Sequence, residues 1–158
     1  MSGKQGVGTR GWILIALLGI AACGGKEASP PAAGGTPAAS AGGGLSAFQL
    51  EHGFGPVTDV VELPAAIDPA MAKQGQDVFE MKCAACHQME QRFVGPALGD
   101  VVERRSPAFI MNFILNPQEN IEEHPVGKEL LAQFMSFMPN QGVTREEARA
   151  ILEYLRTK

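Results

Sequence analysis

The stretch Cys83-Ala84-Ala85-Cys86-His87 decides how the rest of the chain is interpreted. Its pattern, C-x-x-C-H, is typical of covalent haem attachment, in which two thiols bond to the vinyl groups and the adjacent imidazole coordinates the iron. A thioredoxin-like redox pair is the alternative, but it requires a surrounding βαβ pattern, and no strand-like alternation occurs in the C-terminal half of the chain. The stretch therefore predicts one covalently bound haem c, with Cys83 and Cys86 as thioether donors and His87 as the proximal ligand.

Helix signals lie on both sides of this motif. Asp68-Pro69 and Ser106-Pro107 each place a capping side chain directly before a proline at the first helical position. A capping box begins at Thr144. These signals and the apolar periodicity predict an all-α domain. The predicted helices run from 69 to 82, from 107 to 115, from 126 to 137 and from 145 to 156.

Two features refine this helical prediction. Gly75 shares a helix face with Phe79, although glycine destabilises a helix by about 1 kcal/mol, so we expect a close helix crossing there. Residues 118–125 are polar and acidic, and we expect them to form a solvated loop between the second and third helices.

Residues 45–67 carry too many large apolar side chains for a linker, and Gly53, Gly55 and Pro56 interrupt any long helix. We expect an irregular segment packed on the haem domain, and we call it the strap. His52 lies in the strap. A distal ligand role is one interpretation of His52, and a surface or capping role is the more common one for a lone histidine.

The N-terminal segment resembles a bacterial export signal. Residues 12–22 are apolar but shorter than the roughly 20 residues of a membrane-spanning helix. Small residues precede Cys23 as in a lipoprotein signal, which predicts a signal peptide over 1–22 and a lipidated Cys23; plain secretion is the alternative. Residues 23–44 are rich in glycine, alanine and proline, and their composition predicts a flexible tether from the membrane. The mature protein is then expected on the periplasmic side of a membrane or on the cell surface.

The charge balance bears on partners. The chain has 13 basic and 17 acidic residues. Removing Lys4 and Arg10 with the signal leaves 11 basic against 17 acidic residues, a formal net charge of −6. This sign argues against nucleic acid as a partner. It favours electrostatic steering toward a basic patch on a redox protein.

Residues 68–158 resemble a class I monohaem cytochrome c domain. The resemblance rests on Gly75 and Phe79 before the motif, on Gly95-Pro96-Ala97-Leu98 after it, on Met138-Pro139 and on the ending Ile151-Leu152-Glu153-Tyr154-Leu155. It implies the cytochrome c fold, with three to five helices around one covalently attached haem. It also implies that Gly75 packs against the helix of Tyr154, and that the carbonyl of Pro96 accepts a hydrogen bond from His87.

The sixth ligand of the iron is a choice among several side chains. Met138 precedes Pro139, which moves it out of the helical region and frees it to turn toward the haem. Met135 lies one turn earlier, on a helical face with Leu131. We therefore predict Met138 as the ligand, with Met135, His124 or an open position as the alternatives.

No other grouping of side chains in the sequence suggests catalysis or a small-molecule substrate. The resemblance implies one-electron transfer between a respiratory donor and a terminal reductase or oxidase. Residues 48–158 are also similar to lipoprotein cytochromes c that accompany nitrous oxide reductase in some bacteria. A haem-based sensor or gas-binding module, which needs an open sixth position, is one alternative. A fixed electron-entry subunit of a larger complex is the other.

Overall fold

The computed structural model describes residues 44–158, and in that range the chain forms helices and no strand, as the all-α prediction requires. The helices are α1 Ala47–His52, α2 Pro69–Lys82, α3 Val101–Arg104, α4 Pro107–Leu115, α5 Pro117–Glu123, α6 Pro125–Phe134 and α7 Arg145–Leu155. Four of them, α2, α4, α6 and α7, correspond to the predicted helices, and three short ones raise the number above three to five. The predicted signal peptide, Cys23 and all but the last residue of the tether lie outside the described residues.

Three helices begin at the capping residues that the sequence indicated. The carboxylate of Asp68 accepts hydrogen bonds from two backbone N–H groups in the first turn of α2. The hydroxyl of Ser106 accepts the N–H of Phe109 at 3.1 Å. Thr144 and Glu147 bond reciprocally, at 3.1 and 2.9 Å. These contacts satisfy N–H groups that have no partner inside the helix.

The centre of the fold is the crossing of α2 over α7, as the resemblance implied. A Cβ atom at Gly75 would overlap the carbonyl oxygen of Ala150, so only glycine allows the two backbones to approach this closely. Beside the crossing, the rings of Phe79 and Tyr154 lie 5.4 Å apart between centroids. Both rings belong to the buried apolar core.

The strap packs on α4 and α5 through the side-chain amides of two buried asparagines. Asn112 accepts a hydrogen bond from the N–H of Val57 and donates one to the carbonyl of the same residue, both at 3.0 Å. Asn120 makes the same reciprocal pair with Phe54, at 2.8 and 2.6 Å. Directly before Phe54, Gly53 lies against Asn120 with φ of +72°, which glycine adopts without steric cost. Within residues 44–158 the strap pairs with no β-strand. The two amides therefore supply the hydrogen-bond partners that its N–H and carbonyl groups need.

Two short helices correct the sequence analysis. Ser46 and Gln49 form a capping box that starts α1, so the strap is not irregular throughout. The solvated loop predicted for 118–125 is wrong, because residues 117–123 form α5 and its inner side is buried. Asn120 explains this helix: its amide donates to the carbonyls of Asn112 and Asn116, at 3.2 and 2.7 Å, which ties α5 to the end of α4. The acidic residues of α5 occupy only its exposed side.

The third predicted helix ends earlier than expected. α6 ends at Phe134 rather than at 137, because Met135 takes a left-handed conformation with φ of +52° and ψ of +30°. Its N–H still donates to the carbonyl of Leu131, at 2.8 Å. The ten residues after α6, 135–144, have no regular secondary structure. Among the described helices, none is long and apolar enough to cross a membrane.

Candidate functional site

An apolar cavity is lined by the C-x-x-C-H loop, by α4 and α6, and by the segment that follows α6. All five residues that the sequence analysis assigned to the haem contribute to this lining: Cys83, Cys86, His87, Pro96 and Met138. Most of the remaining surface is aromatic and aliphatic. The apolar side chains include Phe79, Val94, Leu98, Phe109, Ile110, Phe113, Ile114, Leu130, Leu131 and Phe134.

The end of α2 positions the two cysteines. Cys83 caps the helix, and its N–H donates to the carbonyl of Phe79 at 2.8 Å. The chain then turns, so that the N–H groups of Cys86 and His87 both donate to the carbonyl of Cys83, at 3.0 and 2.9 Å. The two thiols are free and partly exposed. Burial raises the pKa of the Cys83 thiol, while the charge of Lys82 opposes that rise. Both sulfurs are thus available for covalent attachment.

His87 is held in one orientation. Its Nδ1 lies 3.0 Å from the carbonyl oxygen of Pro96. Because a carbonyl can only accept, Nδ1 carries the proton and Nε2 keeps the lone pair that a metal requires. Gly95 makes room for the ring, since a Cβ at that position would lie 2.5 Å from Cε1 of His87. The sequence analysis gave Gly95 no role of its own.

The two candidate methionines lie in different environments. Met138 is partly buried and lines the cavity. Met135 is 88% exposed and does not line it. The predicted packing of Met135 beside Leu131 is therefore wrong, because the left-handed turn at Met135 directs the chain away from the helical path. The structure brings Met138, and not Met135, into the cavity that contains His87.

Neither of the other histidines lines the cavity. His124 is only 2% exposed, and both of its nitrogens have partners: Nδ1 accepts the N–H of Val126 and Nε2 faces the carbonyl of Leu50, each at 3.1 Å. His124 is therefore no candidate for the sixth ligand. His52 is buried as well, with Nδ1 at 2.7 Å from the hydroxyl of Ser106, so it is neither a surface residue nor a distal ligand.

Cations are concentrated at the cavity, which the net charge of the chain does not indicate. Lys82, Arg104 and Arg105 line the cavity, and the lining contains no acidic side chain. Lys82 pairs with Glu147 at 3.1 Å, and Arg104 pairs with Asp100 at 2.7 Å. The guanidinium of Arg105 lies over the ring of Phe109, which also lines the cavity. The position of Lys82 directly before the motif was the signal available in the sequence.

These residues fit a covalently attached haem. The cavity offers two thiols, one imidazole with a free Nε2, one thioether and an apolar lining. Lys82, Arg104 and Arg105 would offer hydrogen-bond donors to the carboxylates of a porphyrin, and the first two also pair with Glu147 and Asp100. No cluster of three or more His, Cys, Asp or Glu residues that could hold a bare metal ion occurs in residues 44–158.

Known proteins resemble this chain over the same region. The family model described as Cytochrome c matches residues 72–158. Cytochrome c-551 of Stutzerimonas stutzeri is 30% identical over 91 residues, which is 57% of this chain and 82% of that protein. The solved structure of a cytochrome c from Rhodothermus marinus has a TM-score of 0.66 and 47% identity, over 69% of this chain and 93% of that one. An engineered cytochrome c from Rhodothermus marinus has a TM-score of 0.65 and 46% identity, over 69% and 94%.

The extent of these matches differs. The match to the Rhodothermus marinus structure covers 69% of this chain, which is more residues than the segment 68–158 contains. The likeness to the Rhodothermus marinus structures therefore includes part of the sequence before Asp68, where the strap lies. The family model begins after the strap ends.

Proposed function

The chain belongs to the cytochrome c family, and on that premise we propose that it is a one-electron carrier of a respiratory chain, anchored through a lipidated Cys23 to the outer side of a bacterial membrane. The family implies one covalently bound haem c, an electron-carrier role and redox proteins as partners. The anchor, the respiratory setting and delivery to a terminal reductase or oxidase are the parts that we add. Nitrous oxide reductase is the acceptor to test first.

The observation that carries this proposal is the presence of His87 and Met138 in one apolar cavity with both cysteines. When bound, the haem supplies an iron that changes its oxidation state by one electron. His87, oriented by Pro96, and Met138 would both hold the iron, which would leave no ligand position for a substrate. A thioether ligand favours the reduced state, and the lining of the cavity is mostly apolar.

Replacing Met138 tests this assignment. Met138→Ala should remove the weak red absorption band of ferric Met–iron ligation, allow carbon monoxide to bind and lower the reduction potential. Met135→Leu is the matched control, since it changes an exposed methionine three residues away and should leave the spectrum unchanged. The ligand assignment is wrong if Met138→Ala keeps the band. An open position in the unmodified protein would instead favour the sensor alternative.

The anchor needs a separate test. Cys23→Ser should move the mature protein from the membrane fraction to the soluble fraction, or stop its processing, because the lipid would have no attachment point. Fractionation of cells that express the holoprotein, with mass measurement of the N-terminal peptide, distinguishes lipidation from plain secretion. Unchanged membrane retention with normal processing would argue against a lipid on Cys23.

The net charge of the protein and the local charges at the cavity predict partners of opposite charge. We propose that the net charge of −6 steers the protein toward a basic surface, although the cavity lining itself carries cations. Small inorganic oxidants of opposite charge separate the two effects. If the net charge dominates, the rate with a cationic oxidant falls as salt is added and the rate with an anionic oxidant rises. The reverse pattern would mean that the cations at the cavity decide the partner.

A further inference from the structure

We propose that the strap acts through His124 to hold Met138 in place, so that His124 is a positioning residue for the sixth ligand. The inference deepens the proposed function and rests on Met138 being that ligand. It starts from a buried imidazole that belongs neither to the cavity lining nor to the surface.

The hydrogen bonds of His124 define a single tautomer and a single orientation. Nδ1 accepts the N–H of Val126, in the first turn of α6, so the ring proton is on Nε2. Nε2 therefore donates to the carbonyl of Leu50, which lies in α1 of the strap. One side chain thus joins the start of α6 to a segment 74 residues away in the sequence.

The ring of His124 also supports one wall of the cavity. It lies edge-on to Phe109 and Phe113, with centroids 5.3 and 6.4 Å away, and both of these rings line the cavity. The ring of Phe54, in the strap, also lies edge-on to the imidazole, with the two ring centroids 6.5 Å apart. Strap, imidazole and cavity wall therefore form a continuous packed array.

α6 depends on these contacts for its position. A Cβ at Gly127 would overlap the carbonyl oxygen of Asn120, so α6 packs directly against the backbone of α5. Asn120 in turn bonds both backbone groups of Phe54 in the strap. The pair α5–α6 is thus tied to the strap at two points, one through Asn120 and one through His124.

Met138 lies in the irregular segment that α6 leads into. Residues 135–144 form no helix or strand. Met138 lies between the end of α6 and Asn140, whose amide donates to the carbonyl of Leu115 at 3.4 Å, so α6 sets the position of Met138 from one side. At its other end α6 has a separate tie, since the guanidinium of Arg92 donates to the carbonyl of Gln133 at 2.9 Å and lies over Phe134. Loosening the His124 end should therefore let Met138 leave more often without unfolding the domain.

The test compares two substitutions of His124 in the full-length holoprotein. His124→Asn can still cap α6, because asparagine is a preferred N-cap residue, but its side chain is too short to reach Leu50. His124→Ala removes both bonds. We expect each variant to bind imidazole about tenfold more tightly in the ferric state, with a weaker Met–iron band and a lower reduction potential.

Glu153→Gln is the control for a general loss of stability. Glu153 is buried on α7, outside the cavity lining, so this change should lower stability without affecting imidazole affinity. Phe54→Leu serves as a milder strap-side variant if the His124 variants fail to retain haem, and it should raise the affinity in the same direction.

The inference is overturned if His124→Asn and Phe54→Leu bind imidazole as the unmodified protein does. It is also overturned if Glu153→Gln raises the affinity as much as they do. The Met138→Ala variant distinguishes the two proposals. If that variant keeps the Met–iron band, the ligand assignment fails; if it loses the band while the His124 and Phe54 variants change nothing, only the role of the strap fails.

Discussion

Two contacts hold this domain together in different ways. One is the α2–α7 crossing, and the other is the contact of the strap with Asn112 and Asn120 of α4 and α5, which we call the strap seat. At the crossing, the absence of a side chain at Gly75 lets two backbones touch, and rings such as Phe79 and Tyr154 fill the space beside them. At the strap seat, the amides of Asn112 and Asn120 bond to backbone groups of another segment. The first contact depends on shape and the second on hydrogen bonds.

This difference separates what each contact tolerates. An apolar crossing fails when volume is added, because a close-packed interior cannot make room. A buried amide that bonds to a backbone fails when it is removed, because the N–H and carbonyl groups it served lose their partners away from water.

Gly75→Val should have the largest effect. The added side chain would overlap the carbonyl of Ala150, and we expect little holoprotein, or a loss of about 3 kcal/mol or more in the free energy of unfolding if it folds. Haem-stained yield and guanidinium denaturation measure this. Gln74→Ala, at the preceding exposed position of α2, is the control and should change stability by less than about 0.5 kcal/mol. A well-folded Gly75→Val protein would mean that the helices do not cross this closely.

Asn120→Ala should come next and should damage the strap seat. It removes four hydrogen bonds and leaves the N–H and carbonyl of Phe54 without partners. We expect a loss of about 3 kcal/mol, seen by denaturation, and faster proteolysis within the strap. Gln118→Ala, on the exposed side of α5, is the control. A loss below about 1 kcal/mol would show that water takes over the hydrogen bonds of the amide, so that water reaches the strap seat.

Glu153→Gln sharpens the comparison through pH. Burial by itself raises the pKa of Glu153, but hydrogen bonds from the Asp68 N–H, Arg149 and Arg156 outweigh it and hold the pKa below its usual value. A carboxylate whose pKa is lowered in the folded state stabilises it above the unfolded pKa, near 4.3, and loses this effect as the pH falls through the folded value. At pH 7 we expect the variant to be less stable by about 2 kcal/mol.

The difference in stability between the unmodified protein and Glu153→Gln should therefore narrow below about pH 4. Denaturation curves at several pH values measure it. The corresponding difference for Asn120→Ala should stay constant, because an amide does not titrate in this range. A gap for Glu153→Gln that does not change with pH would mean that the carboxylate contributes through packing alone.

Asp77→Ala should have the smallest effect. Asp77 pairs with Lys73 on the outside of α2, and both side chains are more than half exposed. Such pairs stabilise a helix by less than about 0.5 kcal/mol, and added salt reduces the effect further. Denaturation at low and high salt should therefore barely separate the variant from the unmodified protein. A loss above about 1 kcal/mol would show that a surface charge contributes to the crossing beneath it.

Local signals in the sequence accounted for much of the fold. Asp68, Ser106 and Thr144 mark the starts of α2, α4 and α7, because each cap bonds to a residue two or three positions away. The C-x-x-C-H motif likewise places its three groups within five residues. Such signals can be read from the sequence because all the partners lie within one turn of chain.

Most of the differences from the predictions occur where the partner is distant in the sequence. The acidic residues of 118–125 hid a helix whose inner side meets α4 and the strap, and Asn120 alone gave no sign of it. The end of α6 was missed because a methionine adopts the left-handed turn that glycine usually supplies. For His52 and His124, the sequence does not show which hydroxyl or carbonyl group lies within hydrogen-bond distance of the ring.

The haem motif, the approximate positions of the four long helices and the glycine at which α2 and α7 cross can all be predicted from the sequence alone. Their physical basis is either local bonding along the chain or the lack of a Cβ, and both are visible in a single sequence. The tertiary structure was needed to show that Met135 is exposed to solvent while Met138 lines the cavity, and that His124 joins α6 to the strap. Pro139 is a local signal for Met138, whereas the contact of His124 with Leu50 joins residues 74 apart in the sequence, where burial selects the partner.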